Sequence, residues 1–255
     1  MKEIKSTGII FGDMHFPLHD EKAFSCALKV IEKVKPDVFI NLGDFAEGEY
    51  VSHWRWSRRK RPPLEYQLPL IDKEADEVNY HLDRIDNALK KVGCKKKYLA
   101  MGNHDNWYNA FVDENPYLDG YKPEHLFKVE ERGYKWYPYG ELFKVEGSKL
   151  YAYHGGLYSS VNHARTTVQN LGCNVIYGHT HDCQRSVMQH ISGVHIAQSM
   201  GCLCKLKKDF LKGRKVNWTH NVGIIDFFND GWFNLITLDI HNGMTTWNNK
   251  IIKGD

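Results

Sequence analysis

The chain has 255 residues, 42% of them hydrophobic and 25% charged, with a formal net charge of +3. This is ordinary globular usage with enough apolar material for one large core. A charge this small neither demands nor excludes a nucleic-acid partner. The six cysteines show no CxxC zinc pair, the N-terminal apolar run is only three residues long, and no segment approaches membrane-spanning length, so a reduced cytoplasmic protein with no membrane association is expected.

In chain order, residues 7–11 form an apolar run that predicts a buried strand ending at Gly12-Asp13. Residues 20–34 carry Ala23, Ala27, Val30, Ile31 and Val34 at helical spacing, with Asp20 as the cap. Pro36-Asp37 breaks that helix, and 38–42 is a second strand ending at Gly43-Asp44. Strand, helix and strand in this order favour a parallel sheet. Residues 45–70 lack a period, contain Pro62, Pro63 and Pro69, and read as an irregular insertion. A helix is expected over 71–92, then a third strand over 97–101 ending at Gly102-Asn103-His104-Asp105. The aromatic stretch 106–139 suggests loop and short helix. Strand character resumes over 142–153, broken by a turn at 146–148, and ends at His154-Gly155-Gly156. A short helix over 162–171 precedes a strand over 173–177, which ends at Gly178-His179-Thr180-His181. Beyond it the pattern is antiparallel, at 186–190, 194–198, 221–228 and 232–241. The last fifteen residues are expected as an edge strand or a frayed end.

Fourteen histidines are the anomaly of the composition, because histidine is the commonest metal ligand. Asp13, His15, Asp44, Asn103, His154, His179 and His181 all follow an expected apolar strand, usually beside glycine. Ligands of open α/β sheets bind at that edge. Any one of these residues could be a helix cap or a core histidine. Together they offer carboxylate, amide oxygen and imidazole without thiolate, a set that suits manganese, iron, zinc or cobalt.

Five short motifs carry a resemblance: GDMH at 12–15, GD at 43–44, GNHD at 102–105, HG at 154–155 and GHTH at 178–181. In this order they resemble the calcineurin-like metallophosphoesterases. The resemblance implies an α/β four-layer sandwich, two mixed β-sheets flanked by helices, in a single domain over 1–255 with a basic insertion at about 45–70. It further implies two divalent metal ions, manganese first, with iron, zinc, cobalt or nickel as alternatives. Asp13, His15, Asp44 and His181 would hold the first ion, and Asp44, Asn103, His154 and His179 the second. Asp44 bridges, and water acidified by the pair attacks phosphorus. His104 is expected as an imidazolium that stabilises or protonates phosphoryl oxygens, with Asp105 orienting its ring.

The metals say little about the group attached to phosphorus. No arginine follows Gly43-Asp44, unlike the Ser/Thr phosphatases of the superfamily, and His104 stands where its lipid A precursor hydrolases carry arginine. The double-strand-break repair nucleases share the motifs DxH, GD, GNHD and GHTH. Arg55, Arg58, Arg59 and Arg61 lie among aromatics in the insertion, and Lys205, Lys207, Lys208, Lys212, Arg214 and Lys215 form a second basic cluster. Both suit a nucleic-acid backbone with stacked bases. The expected function is a phosphodiesterase of nucleic acids or nucleotides, in its sharper form a nuclease. A small-molecule phosphomonoesterase, a cyclic-nucleotide phosphodiesterase and a non-catalytic nucleic-acid-binding accessory protein are the alternatives.

Overall fold

A computed structural model describes residues 3–207 and 212–255; Lys208 of the second basic cluster lies outside them. Strands β1 (Ile4–Phe11), β2 (Val38–Asn41), β3 (Lys96–Ala100) and β4 (Tyr134–Tyr137) pair in parallel, with Gly8 opposite Val38 and Val38 opposite Lys96. Helices α1 (Glu21–Val34), α2 (His53–Trp56), α3 (Leu64–Val92), α4 (Asn103–Glu114) and α5 (Pro123–Leu126) connect them. Asp20 caps α1, accepting from Ala23 N at 2.9 Å.

The other sheet holds β5 (Phe143–Lys144), β6 (Leu150–Ala152), β7 (Asn174–Tyr177), β8 (Arg185–His190) and β9 (Gly193–Ser199), with α6 (His163–Leu171) crossing from β6 to β7. Its order is β5-β6-β7-β9-β8. Strands β10 (Asn221–Phe228) and β11 (Phe233–Asp239) return to the first sheet, which runs β11-β10-β1-β2-β3-β4.

The apolar runs of β1 to β3 are continuous because both faces are buried. Phe11, Phe39 and Leu99 face Phe24 and Ile31 of α1 and Val78 and Ile85 of α3. Ile10, Ile40 and Ala100 interleave with Leu150, Ala152 and Ile176 of the other sheet. On the far side, Val175 and Tyr177 pack on Val168 of α6. The result is the expected four-layer arrangement of helices, two mixed sheets and a helix.

Three expectations need correction. The insertion is shorter than 45–70, because α2 forms within it and α3 begins at Leu64 and runs through Pro69. Pro69 costs one backbone hydrogen bond, and a 29-residue helix anchored by buried Gln67 and Ile71 carries that loss. Beyond residue 181 the expected antiparallel pairing holds for β8 with β9 and for β10 with β11, but β9 also runs parallel to β7. The chain end neither frays nor joins an edge: β12 (Met244–Trp247) and β13 (Lys250–Lys253) form a hairpin packed on α1. No helix among the described residues is long and apolar enough to cross a membrane.

Candidate metal centre

The loops leaving β1, β2, β3, β6 and β7 bring all seven expected ligands into one network. Asp13 Oδ1 lies 3.2 Å from His181 Nε2, and His179 N donates to both Asp13 oxygens at 3.0 Å. Asp44 Oδ2 is 3.4 Å from His154 Nε2 and 3.7 Å from His15 Nε2. Asn103 Oδ1 stands 3.1 Å from His154 Nε2 and 2.8 Å from His179 Nδ1. His15 Nε2 meets His181 Nε2 at 3.2 Å. Asp44 therefore touches residues of both expected metal sets.

The local backbone is unusual. Asp13, His15, Asp44, His179 and His181 all have φ between 48° and 69°, the left-handed region that costs a non-glycine residue roughly 1–2 kcal/mol. Strain of this kind collects at functional sites and is held there by the surrounding structure. Two neighbouring glycines supply space. A Cβ on Gly102 would stand 2.0 Å from Asp44 Oδ1, and one on Gly178 would stand 2.3 Å from Asp13 Oδ2.

Asp13 and Asp44 are buried, and among the described residues no lysine or arginine pairs with either. Burial works to raise the Asp44 carboxyl, but His154, His104 and His15 outweigh it and hold it well below its usual range. Burial opposes charge on Asp13 too, and His181 and His154 bring that carboxyl down. In return, and against their own burial, His154 is raised to about 9 by Asp44 and His181 to about 10 by Asp13. Two buried carboxylates compensated only by imidazoles, beside an amide oxygen facing two ring nitrogens, fit a pair of divalent cations.

Surrounding groups orient the ligands, as is usual around metals. The Leu42 carbonyl lies 2.7 Å from His154 Nδ1, leaving Nε2 toward Asp44 and Asn103. Glu47 Oε2 stands 2.9 Å from His15 Nδ1, and Cys204 Sγ lies 3.8 Å from His181 Nδ1. Sequence reasoning missed both residues. Glu47 follows Asp44 by three positions, a signal too common to read alone, and Cys204 comes from the distant loop after β9.

His104 lies beside the network, its ring 4.5 Å from that of His15. Burial pushes it down to about 4, against the pull of the Asp44 carboxylate. Its Nδ1 meets the Glu47 carbonyl at 2.6 Å. Asp105 does not orient this ring. Its carboxylate instead accepts the backbone N–H groups of Asp44, Gly102 and Ala46 at 2.8, 2.8 and 3.1 Å. Asp105 thus clamps the Asp44 loop to the start of α4.

The basic insertion is partly ion-paired. Arg55 pairs with Glu49 and Arg61 with Glu114, so both charges are already matched within the chain. Arg58 and Arg59 are exposed between α2 and α3. A chain of ring contacts leads toward them from the centre: His104 to Trp107 at 3.9 Å, Trp107 to His53 at 6.0 Å, and His53 to Trp54 at 4.6 Å. Trp54 is 68% exposed.

Glu74 of α3 supports the same loop, accepting from Glu49 N at 3.0 Å and from Tyr108 Oη at 3.2 Å. Burial, with Glu47 adding to it, pushes Glu74 up to about 7. A folded-state value above the ordinary 4.5 stabilises the protein fully below pH 4.5 and loses that contribution as pH rises through 7. The loss is at most about 3 kcal/mol. Glu74→Gln keeps an acceptor and removes the titration. Its melting temperature should exceed that of wild type at pH 8.5, and the advantage should vanish at pH 4.5. Parallel melting curves across pH decide this.

Buried carboxylates, four imidazoles and an amide oxygen at the strand ends of a two-sheet sandwich define the class of metal-dependent phosphoesterases. The chain belongs to the calcineurin-like phosphoesterase family, whose model matches residues 9–183. It is 24% identical over 234 residues to the Gene 54 protein of Mycobacterium phage D29, covering 85% of this chain and 87% of that protein. Similar solved structures include Vps29 of Chaetomium thermophilum, at 8% identity and a TM-score of 0.44 over 98% of this chain and 97% of that one. Another is Yfce, a phosphoesterase from E. coli, at 14% identity and a TM-score of 0.43 over 90% and 98%.

Proposed function

We propose that this protein is a dinuclear-metal phosphodiesterase acting on nucleic-acid or nucleotide phosphodiesters, most sharply a nuclease, with manganese as its metal. Asp13, His15, Asp44 and His181 would hold one ion, and Asp44, Asn103, His154 and His179 the other. When bound, such a pair supplies Lewis-acid charge and lowers the pKa of water. The residues around it do the rest. The Leu42 carbonyl fixes the ring of His154, and the Glu47 carboxylate stands beside Nδ1 of His15. With Nδ1–H of His104 held by the Glu47 carbonyl, its Nε2 carries a proton only in the imidazolium form, which a bound anionic phosphoryl group would favour and which could hydrogen-bond a phosphoryl oxygen or pass that proton to the leaving oxygen.

The observation that carries the nucleic-acid reading is the aromatic chain from His104 to exposed Trp54, ending near Arg58 and Arg59. Aromatic faces stack bases of any sequence, and exposed guanidinium groups meet backbone phosphates. The test is a hydrolysis panel with Mn²⁺-loaded protein and Asp44→Asn as the blank. Its substrates are bis(p-nitrophenyl) phosphate, p-nitrophenyl phosphate, a 2′,3′-cyclic nucleotide, and single- and double-stranded DNA. Cleavage of the diester and of DNA is expected. Replacing Arg58 and Arg59 by alanine should flatten the log–log salt dependence of single-strand binding by about 1.4. Cleavage of small esters alone would overturn the nuclease reading, and binding without cleavage would move the function to a non-catalytic one.

A further inference from the structure

Beside the metal centre, a cavity of about 440 Å³ opens next to His179, lined by Asp182, Gln184, Lys215, Asn217 and Trp218 among others. Its volume lies within the range of small-ligand sites, ~300–1,000 Å³. The Trp218 ring sits 4.3 Å from that of His181, and Thr219 N donates to the His181 carbonyl at 2.9 Å, which ties this wall to the centre. The polar wall is already ordered. Asp182 Oδ1 lies 2.9 Å from His163 Nε2, whose Nδ1 meets Tyr177 Oη at 2.7 Å. Gln184 Nε2 donates to Asp182 Oδ2 and to the Val161 carbonyl, each at 2.9 Å.

An aromatic face, a fixed carboxylate and amide edge, and a lysine at the rim next to a phosphoryl-handling centre form one recognisable combination. We infer that this pocket takes the nucleoside next to the scissile phosphate, its base against Trp218 and its hydrogen-bonding edge on Asn217, Gln184 or Asp182. Lys215 then meets a phosphate at the mouth. The carboxylate wall disfavours acidic leaving groups such as sugar phosphates or acidic peptides by like-charge repulsion. This inference rests on the phosphodiesterase reading. It adds an aromatic surface at Trp218 to the chain of rings that runs from His104 to Trp54.

The experiment compares thymidine 5′-(p-nitrophenyl phosphate) with methyl p-nitrophenyl phosphate, which has no base. Isothermal titration of thymidine 5′-monophosphate against inorganic phosphate adds a readout independent of turnover. Wild type should favour the nucleoside ester in kcat/KM, and bind the nucleotide more tightly than phosphate, by about 10- to 100-fold. Trp218→Ala should reduce both ratios to within about 3-fold of unity, and Trp218→Phe should restore most of each. Ratios unchanged in Trp218→Ala, with two metals still bound, would overturn the pocket while leaving the phosphodiesterase intact. If wild type cleaves neither ester, the phosphodiesterase reading itself fails. A short single strand with one abasic position separates sources: cleavage suppressed next to that position indicates a polynucleotide, and equal cleavage along the strand together with tight mononucleotide binding indicates a free nucleotide.

Discussion

Asp44→Asn is expected to lose turnover by on the order of 1,000-fold or more and to retain fewer than two metals per chain. The amide keeps the shape and one oxygen, so His104 N can still donate at the position where Asp44 Oδ1 accepts at 2.8 Å. What disappears is the negative charge between His154 and His15, whose Nε2 atoms lie 3.4 and 3.7 Å from Asp44 Oδ2. A neutral amide cannot bring two dications together. Removing a carboxylate that several imidazoles compensate also leaves those imidazoles without a counter-charge. Metal analysis of the purified protein beside a bis(p-nitrophenyl) phosphate assay is the check. Two tightly held ions and near-normal turnover would show that Asp44 does not bridge. His104→Asn is the contrasting case. It should keep both ions and still lose ~100- to 10,000-fold in turnover, because His104 touches the ligand network without belonging to it.

Gly102→Ala should be nearly as damaging, through a different cause. Gly102 has φ of −88°, which any residue adopts, so backbone freedom is not at issue. The added methyl carbon would sit 2.0 Å from Asp44 Oδ1 and 2.3 Å from Asp44 N, closer than non-bonded atoms ever approach. One of the two loops must move, and Asp105 joins them by accepting N–H bonds from both. Overpacking in a rigid interior costs about 1–3 kcal/mol or more. Here the displacement also falls on the side chain proposed to bridge the two metals. A lower melting temperature together with weakened metal binding is expected in the same variant. A thermal shift alone, with metal affinity unchanged, would mean that the β3–α4 turn yields instead of the Asp44 loop.

Much of this centre was legible in the sequence for a physical reason. A parallel strand buried on both faces must be a short apolar run, and the turn after it must be tight, so a glycine beside a polar residue marks where each ligand enters. Residues 12–15, 43–44, 102–105, 154–155 and 178–181 carry that mark, and the fold places all five at one edge. What was not legible came from three-dimensional proximity. His104 and Asp105 are neighbours in sequence, yet successive residues of a helix do not face each other. Asp105, third in α4, turns back to the backbone N–H of Gly102 as capping residues do. Glu47 and Cys204 reach the histidines from loops with no repeating pattern, and Trp218 arrives from 37 positions beyond His181. The start of α3 was obscured because Pro69 reads locally as a stop, while packing of Gln67 and Ile71 overrides it.

The left-handed backbone at Asp13, His15, Asp44, His179 and His181 also bears on how the protein can evolve or be engineered. Glycine adopts that conformation without the Cβ penalty, and in the metal-free chain every one of these five positions would relax on becoming glycine. Selection for heat resistance alone, in a chelating medium, would therefore erode the centre first, while the sheets beneath it changed little. Screens that seek a hardier variant need a metal-retention or turnover gate at every round, because stability and chemistry are set against each other at the same five residues.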